Sequence, residues 1–121
     1  MKKKMVAICI LGILMFPARV TWAAAFFCPG KVTTLAIGPS NGILQVNAGY
    51  GVHYLCSLSV AMNGIPPEIC RSYYSMFLAA KMAGKSINQG YDDNNVVGKS
   101  CGTLGNWAVP NPMPYWIELL D

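Results

Sequence analysis

Four cysteines, Cys28, Cys56, Cys70 and Cys101, constrain this chain more than any other feature. All four follow an amino-terminal segment that reads as an export leader. An even number of cysteines in a short exported chain argues for two disulfides, and four cysteines allow three connectivities. A structural zinc site would need paired C-x-x-C spacing. The separations here are 28, 14 and 31 residues, so the sequence offers no metal site of that kind.

The leader is defined by its parts. Lys2, Lys3 and Lys4 form a basic start, and Met5 to Phe16 is an unbroken apolar run of 12 residues. Pro17 breaks the run, and Ala23, Ala24 and Ala25 supply an A-x-A cleavage site. This is the pattern of a secretory signal peptide. The run is too short for a membrane-spanning helix, which needs about 20 apolar residues. Cys9 lies inside the apolar run after Ile8, so the sequence is not that of a lipoprotein. The expected organisation is a signal peptide over residues 1–25, cleaved after Ala23 or Ala25, and one domain over residues 26–121. The expected location is the bacterial periplasm or the medium, with no membrane insertion once the leader is removed.

Leader removal changes the charge. The whole chain carries 9 basic and 5 acidic residues, for a formal net charge of +4. Lys2, Lys3, Lys4 and Arg19 leave with the leader, so 9 − 4 = 5 basic residues face the same 5 acidic ones. The remaining domain is neutral and its cations are scattered. It lacks the basic cluster that would track the phosphates of a nucleic acid. At 121 − 25 = 96 residues it is one domain with a modest core, the size at which disulfides add needed stability.

The pattern along this domain is β-rich. Lys31 to Ile37 is β-branched and ends in the turn signal Gly38-Pro39-Ser40-Asn41-Gly42. Ile43 to Ala48 is a second strand. Val52 to Val60 alternates, with Val52, Tyr54, Cys56, Leu58 and Val60 on one face and His53, Leu55, Ser57 and Ser59 on the other. That period predicts a half-buried antiparallel strand. The period then changes. Pro67 and Glu68 suit a first helical turn, and Ile69, Tyr73, Met76, Phe77 and Ala80 form one stripe. Gly84 is placed to end a helix predicted over Pro67 to Ala83. Ser86 to Tyr91 and Tyr115 to Leu120 are two further strands. The expected fold is therefore a five-stranded OB-like barrel of order β-β-β-α-β-β, stabilised by disulfides. Cys56–Cys70 would close a 13-residue loop between the third strand and the helix. Cys28–Cys101 would tie the amino terminus to the segment before the last strand. This connectivity is favoured.

The run from Cys56 to Ile87 includes C-R-S-Y-Y-S-M-F-L-A-A-K-M-A-G-K-S-I. It resembles small exported bacterial OB-fold proteins in which a cysteine-bearing strand leads to a helix ending A-x-x-x-G-K/Q-x-hydrophobic. Among these are the receptor-binding B subunits of A-plus-five-B toxins of the subtilase and typhoid type. The resemblance implies a glycan-binding subunit, with a host glycan as its ligand, that assembles into a homo-oligomeric ring. It carries over no sugar-binding residue.

Catalytic constellations are missing from the sequence. His53, the only histidine, sits on the polar face of its strand with no acid nearby, which reads as a surface histidine. Gly84-Lys85-Ser86 and Gly98-Lys99-Ser100 lack the earlier glycine of a phosphate loop, since Ala79 and Asp93 stand there. Asp92-Asp93-Asn94-Asn95 fails the EF-hand spacing, with Val97 and Leu104 at the fifth and twelfth positions, and reads as a solvated turn. Glu68 and Glu118 do not form a glycosidase-like pair. The expectation is no enzyme, no cofactor and no metal. Aromatic residues are the remaining signal: Tyr50, Tyr54, Tyr73, Tyr74, Tyr91, Tyr115, Trp107 and Trp116. Tyr50, Tyr91 and Trp107 fall at loops and are the ligand-contact candidates, because aromatic faces beside Asn and Ser suit sugars or partner proteins. Two functions follow as expectations. One is a non-enzymatic glycan-binding module. The other is a periplasmic structural or inhibitory protein that binds another protein.

Overall fold

The computed structural model describes residues 24–93 and 98–121. The predicted leader therefore falls almost wholly outside the described residues, as do Asn94 and Asn95 of the polar turn. Among the described residues the elements are β1 (Ala25–Lys31), β2 (Thr34–Ile37), β3 (Ile43–Asn47), β4 (Val52–Ser57), α1 (Pro67–Ala83), β5 (Ser86–Asp92), a short 3-10 turn (Cys101–Thr103) and β6 (Pro114–Leu119).

The fold is mostly antiparallel sheet with one helix and two disulfides, but it is not a closed five-stranded barrel. Six strands form two open three-stranded sheets, ordered β1-β5-β6 and β2-β3-β4. Two local causes account for the difference. First, the expected strand from Lys31 to Ile37 is interrupted at Val32 and Thr33, where the chain passes from one sheet to the other. Val32 enters the core. The Thr33 amide donates to the Asn47 carbonyl at 2.8 Å, while the Lys81 ammonium donates to the Thr33 carbonyl at 2.9 Å. Second, the segment containing Pro29 and Gly30 forms β1, which was not expected as a strand. β1 is an edge strand, where proline's missing N–H does not break a ladder. Gly30 is required by close approach, since a Cβ there would collide with the Ala48 carbonyl.

The expected alternating strand also ends early, at Ser57 rather than Val60. The Ser57 hydroxyl donates to the Asn41 carbonyl at 2.8 Å and accepts the backbone amides of Ser59 and Val60. A serine side chain that satisfies local backbone in this way competes with the sheet ladder and turns the chain. Val60 is left exposed. β4 is also buried on both faces, including His53, Leu55 and Ser57.

The helix starts and stops where the sequence placed it. Pro67 occupies its first turn, and Gly84 ends it in the left-handed region at φ 66°. The Lys85 amide reaches the Ala80 carbonyl at 3.0 Å and the Gly84 amide the Lys81 carbonyl at 3.4 Å, the paired bonds of a Schellman cap. Its inward face differs slightly from the expected stripe. Cys70, Phe77 and Ala80 are fully buried, whereas Ile69 is exposed.

α1 packs against strands of both sheets. The main core gathers Val32, Leu44, Val46, Leu55, Phe77, Ala80 and Ile87 around the Cys56–Cys70 disulfide. A smaller core holds Tyr91 and Leu104 at the Cys28–Cys101 disulfide, with Phe26 and Tyr50 against it. These are two of the pairings open to four cysteines, and together they make up the connectivity favoured above.

Candidate functional site

The outward face of the β1-β5-β6 sheet carries two adjoining rows of side chains. Register places Phe27 opposite Gly90, and Gly90 opposite Trp116. The next row on the same face is Pro29, Asn88 and Glu118. Gly90 is the floor of the first row. A Cβ at that position would lie 2.9 Å from Phe27 Cε1 and 3.1 Å from Trp116 Cβ. The two aromatic residues therefore close over bare backbone, a device that protects a glycine in a sheet. They remain open on their outer side, with Phe27 50% and Trp116 53% exposed.

The polar row beside them is ordered. The Asn88 amide nitrogen donates to Glu118 Oε1 at 2.8 Å. That bond fixes the amide orientation, because a carboxylate only accepts. Asn88 Oδ1 is consequently left enclosed and without a hydrogen-bond partner. Hydrogen bonds from the Asn88 amide and then from the Trp116 indole hold the Glu118 carboxyl below its ordinary range. Glu118 is thus an anion at neutral pH, next to the Trp116 indole. The arrangement presents aromatic faces beside a carboxylate and an amide on regular strands, not on loops.

The three loop aromatics named from the sequence do not converge. Tyr91 is fully buried, stacks on Phe26 at 5.3 Å and donates its hydroxyl to Gln89 Oε1 at 3.1 Å. Burial pushes its phenol well above the usual range. It is a core residue and not a contact residue. Tyr50 packs against the same small core and donates its hydroxyl to the Pro29 carbonyl at 2.7 Å. Trp107 stands apart in the loop before β6 and is 61% exposed. Its φ of 54° is unusual for a bulky residue. Its neighbours hold it there. The Asn106 side chain accepts the Val52 amide at 2.8 Å, and the Ala108 carbonyl accepts the Tyr54 amide at 2.9 Å.

His53 is not a surface histidine. This same loop covers it, and its Nε2–H donates to the Gly105 carbonyl at 3.1 Å. Burial pushes the imidazole pKa down, partly offset by that bond. His53 acts as a latch that holds the loop on β4. Asp93 accepts the Ala24 amide at 3.1 Å. Among the described residues no three of His, Cys, Asp and Glu converge in a way that could hold a metal.

Sequence reasoning missed Phe27, Asn88 and Gly90 as site residues and left Trp116 and Glu118 without roles. The alternation of β6 was visible, but the pairing of Trp116 with Phe27 depends on β1, which Pro29 and Gly30 concealed.

No family model, curated protein or solved structure matches the chain. The site defines the molecule only as a small disulfide-bonded domain of antiparallel sheets with an exposed aromatic face.

Proposed function

We propose that this chain is an exported, non-enzymatic binding module, and that the outward face of the β1-β5-β6 sheet is its carbohydrate-binding surface. The observation that supports this is the exposed pair Phe27 and Trp116 over Gly90, beside the ordered Asn88 and Glu118. A pyranose ring offers a C–H face and a rim of hydroxyls. The C–H face stacks on aromatic rings, which give large contact area at small entropy cost. The hydroxyls donate to the Glu118 carboxylate, a charge-assisted bond stronger than a neutral one. The resemblance to toxin B subunits supports the same ligand class. The neutral charge of the domain after leader removal fits an uncharged ligand.

A glycan array with the leaderless, disulfide-intact protein tests the proposal. Bound glycans are then titrated against wild type, Trp116→Ala and Glu118→Gln. The expected result is a glycan that quenches or shifts tryptophan fluorescence, with affinity reduced about tenfold or more in each variant. Glycan binding that both variants retain at full strength would move the surface elsewhere. Absence of any glycan binding at millimolar concentration would reject the carbohydrate reading.

A further inference from the structure

A second surface lies on the other sheet and is independent of the aromatic face. β2 is an edge strand of the β2-β3-β4 sheet. Between it and α1 runs a cavity of about 290 Å³, lined by Leu35, Ala36 and Ile37 on one side and by Tyr74, Leu78, Lys81 and Met82 on the other. The lining pattern fixes the groove's direction. Successive strand residues point to opposite faces, so a cavity that touches three in a row follows the strand's edge and not one face. Tyr74, Leu78, Lys81 and Met82 are spaced four, three and one apart and form one helical stripe. The two walls have matching lengths. Four residues of β2 extend about 13 Å, and the 82 − 74 = 8 residues from Tyr74 to Met82 rise about 12 Å.

An unpaired strand edge asks for backbone hydrogen bonds. Its neighbouring groove asks for apolar side chains, since Ile37, Leu78 and Met82 are all exposed there. An extended peptide supplies both at once, pairing with the edge and sending alternate side chains into the groove. Charge narrows the occupant further. Lys81 is the one charged lining residue. Its ammonium has three donors, and its bonds are to the carbonyls of Thr33 at 2.9 Å and Val32 at 3.4 Å. A donor remains for a carboxylate at that end of the groove.

We propose that the β2–α1 groove binds an extended segment of a partner protein, as an added strand on β2, with alternating apolar side chains and one acidic side chain directed to Lys81. The probe is the synthetic peptide acetyl-Thr-Val-Thr-Leu-Thr-Glu-amide, added to isotope-labelled, leaderless protein and followed by amide NMR shifts. Saturable shifts at about 2 mM, concentrated in β2 and the Tyr74–Met82 stripe, are expected. The Gln-ended peptide should bind roughly fivefold more weakly, and a backbone N-methylated peptide should not bind. Leu78→Glu and Met82→Glu change exposed residues, so the fold should persist and the shifts should vanish. Three outcomes overturn the proposal. One is no saturable shift. Another is shifts centred on the β1-β5-β6 face. The third is a concentration-dependent doubling of molar mass that Met82→Glu abolishes, which would make the occupant a second copy of the chain.

Discussion

Replacing Cys28 and Cys101 together by alanine should destabilise the domain more than replacing Cys56 and Cys70. The reason is the length of chain that each bridge closes. Cys56 and Cys70 are separated by 14 positions, and Cys28 and Cys101 by 73. In the chain-entropy model a loop of the first size is worth about 3 kcal/mol and one of the second about 4.4 kcal/mol. The packing lost is comparable, because Cys28, Cys56 and Cys70 are all fully buried and Cys101 is partly so. The difference of about 1.4 kcal/mol corresponds to roughly 6–11 °C in Tm for a domain of this size. Either loss is a large part of the 5–15 kcal/mol that holds a typical domain together. Both double variants are compared with the oxidised wild type by urea denaturation and by thermal melting. Equal midpoints, or a larger loss from Cys56→Ala with Cys70→Ala, would refute the loop-length argument and shift the weight to packing in the main core.

Phe77→Ala should cost about 3–5 kcal/mol, because the ring is fully enclosed between the helix and both sheets; a disulfide-intact variant melting within a few degrees of wild type would contradict its central place. His53 gives stability a pH dependence of known sign. Its folded pKa lies below the ordinary 6.5, so its contribution is fully present above pH 6.5 and is lost as pH falls through the folded value. Melting temperature should therefore drop as pH falls below 6.5, and His53→Gln, which can still donate to Gly105, should flatten that slope. An unchanged slope in the variant would remove His53 as the cause.

The bounds of the helix and most of its inward face were legible in the sequence because their signals are local. Pro67, Glu68 and Gly84 act within one turn of the helix ends, and Phe77 and Ala80 repeat at helical spacing. The Cys56–Cys70 pair was legible for a related reason, since it links neighbouring elements. Apart from the Cys28–Cys101 bridge, properties that depend on distant partners were not. β4 alternates in polarity, yet it is buried on both faces because the loop from Gly105 to Ala108 folds back over His53. Tyr91 lies beside a polar turn in sequence, yet stacks on Phe26 across a strand pair. The closed barrel was inferred by treating Lys31 to Ile37 as one strand. Val32 is drawn into the core, Lys81 holds the Thr33 carbonyl, and the one strand becomes two edges of two sheets.

That break also explains why the molecule carries two separate candidate surfaces. β1 and β2 are consecutive in the chain, but each ends as the edge of a different sheet. β1 uses its outward face: Phe27 spans Gly90 toward Trp116, and its own edge carries Pro29, which discourages further strand pairing. β2 has no proline, and its edge borders an apolar groove closed at one end by a lysine. The chemistry of the two follows from this difference. A face of aromatic rings with a carboxylate suits a ligand with C–H faces and hydroxyls, whereas a bare strand edge suits another backbone. Glu118 lies on β6 of one sheet, whereas Met82 lies on α1 beside β2 of the other sheet. The effects of Glu118→Gln and Met82→Glu on glycan and peptide binding should therefore separate completely, each abolishing or weakening one activity and leaving the other at wild-type strength.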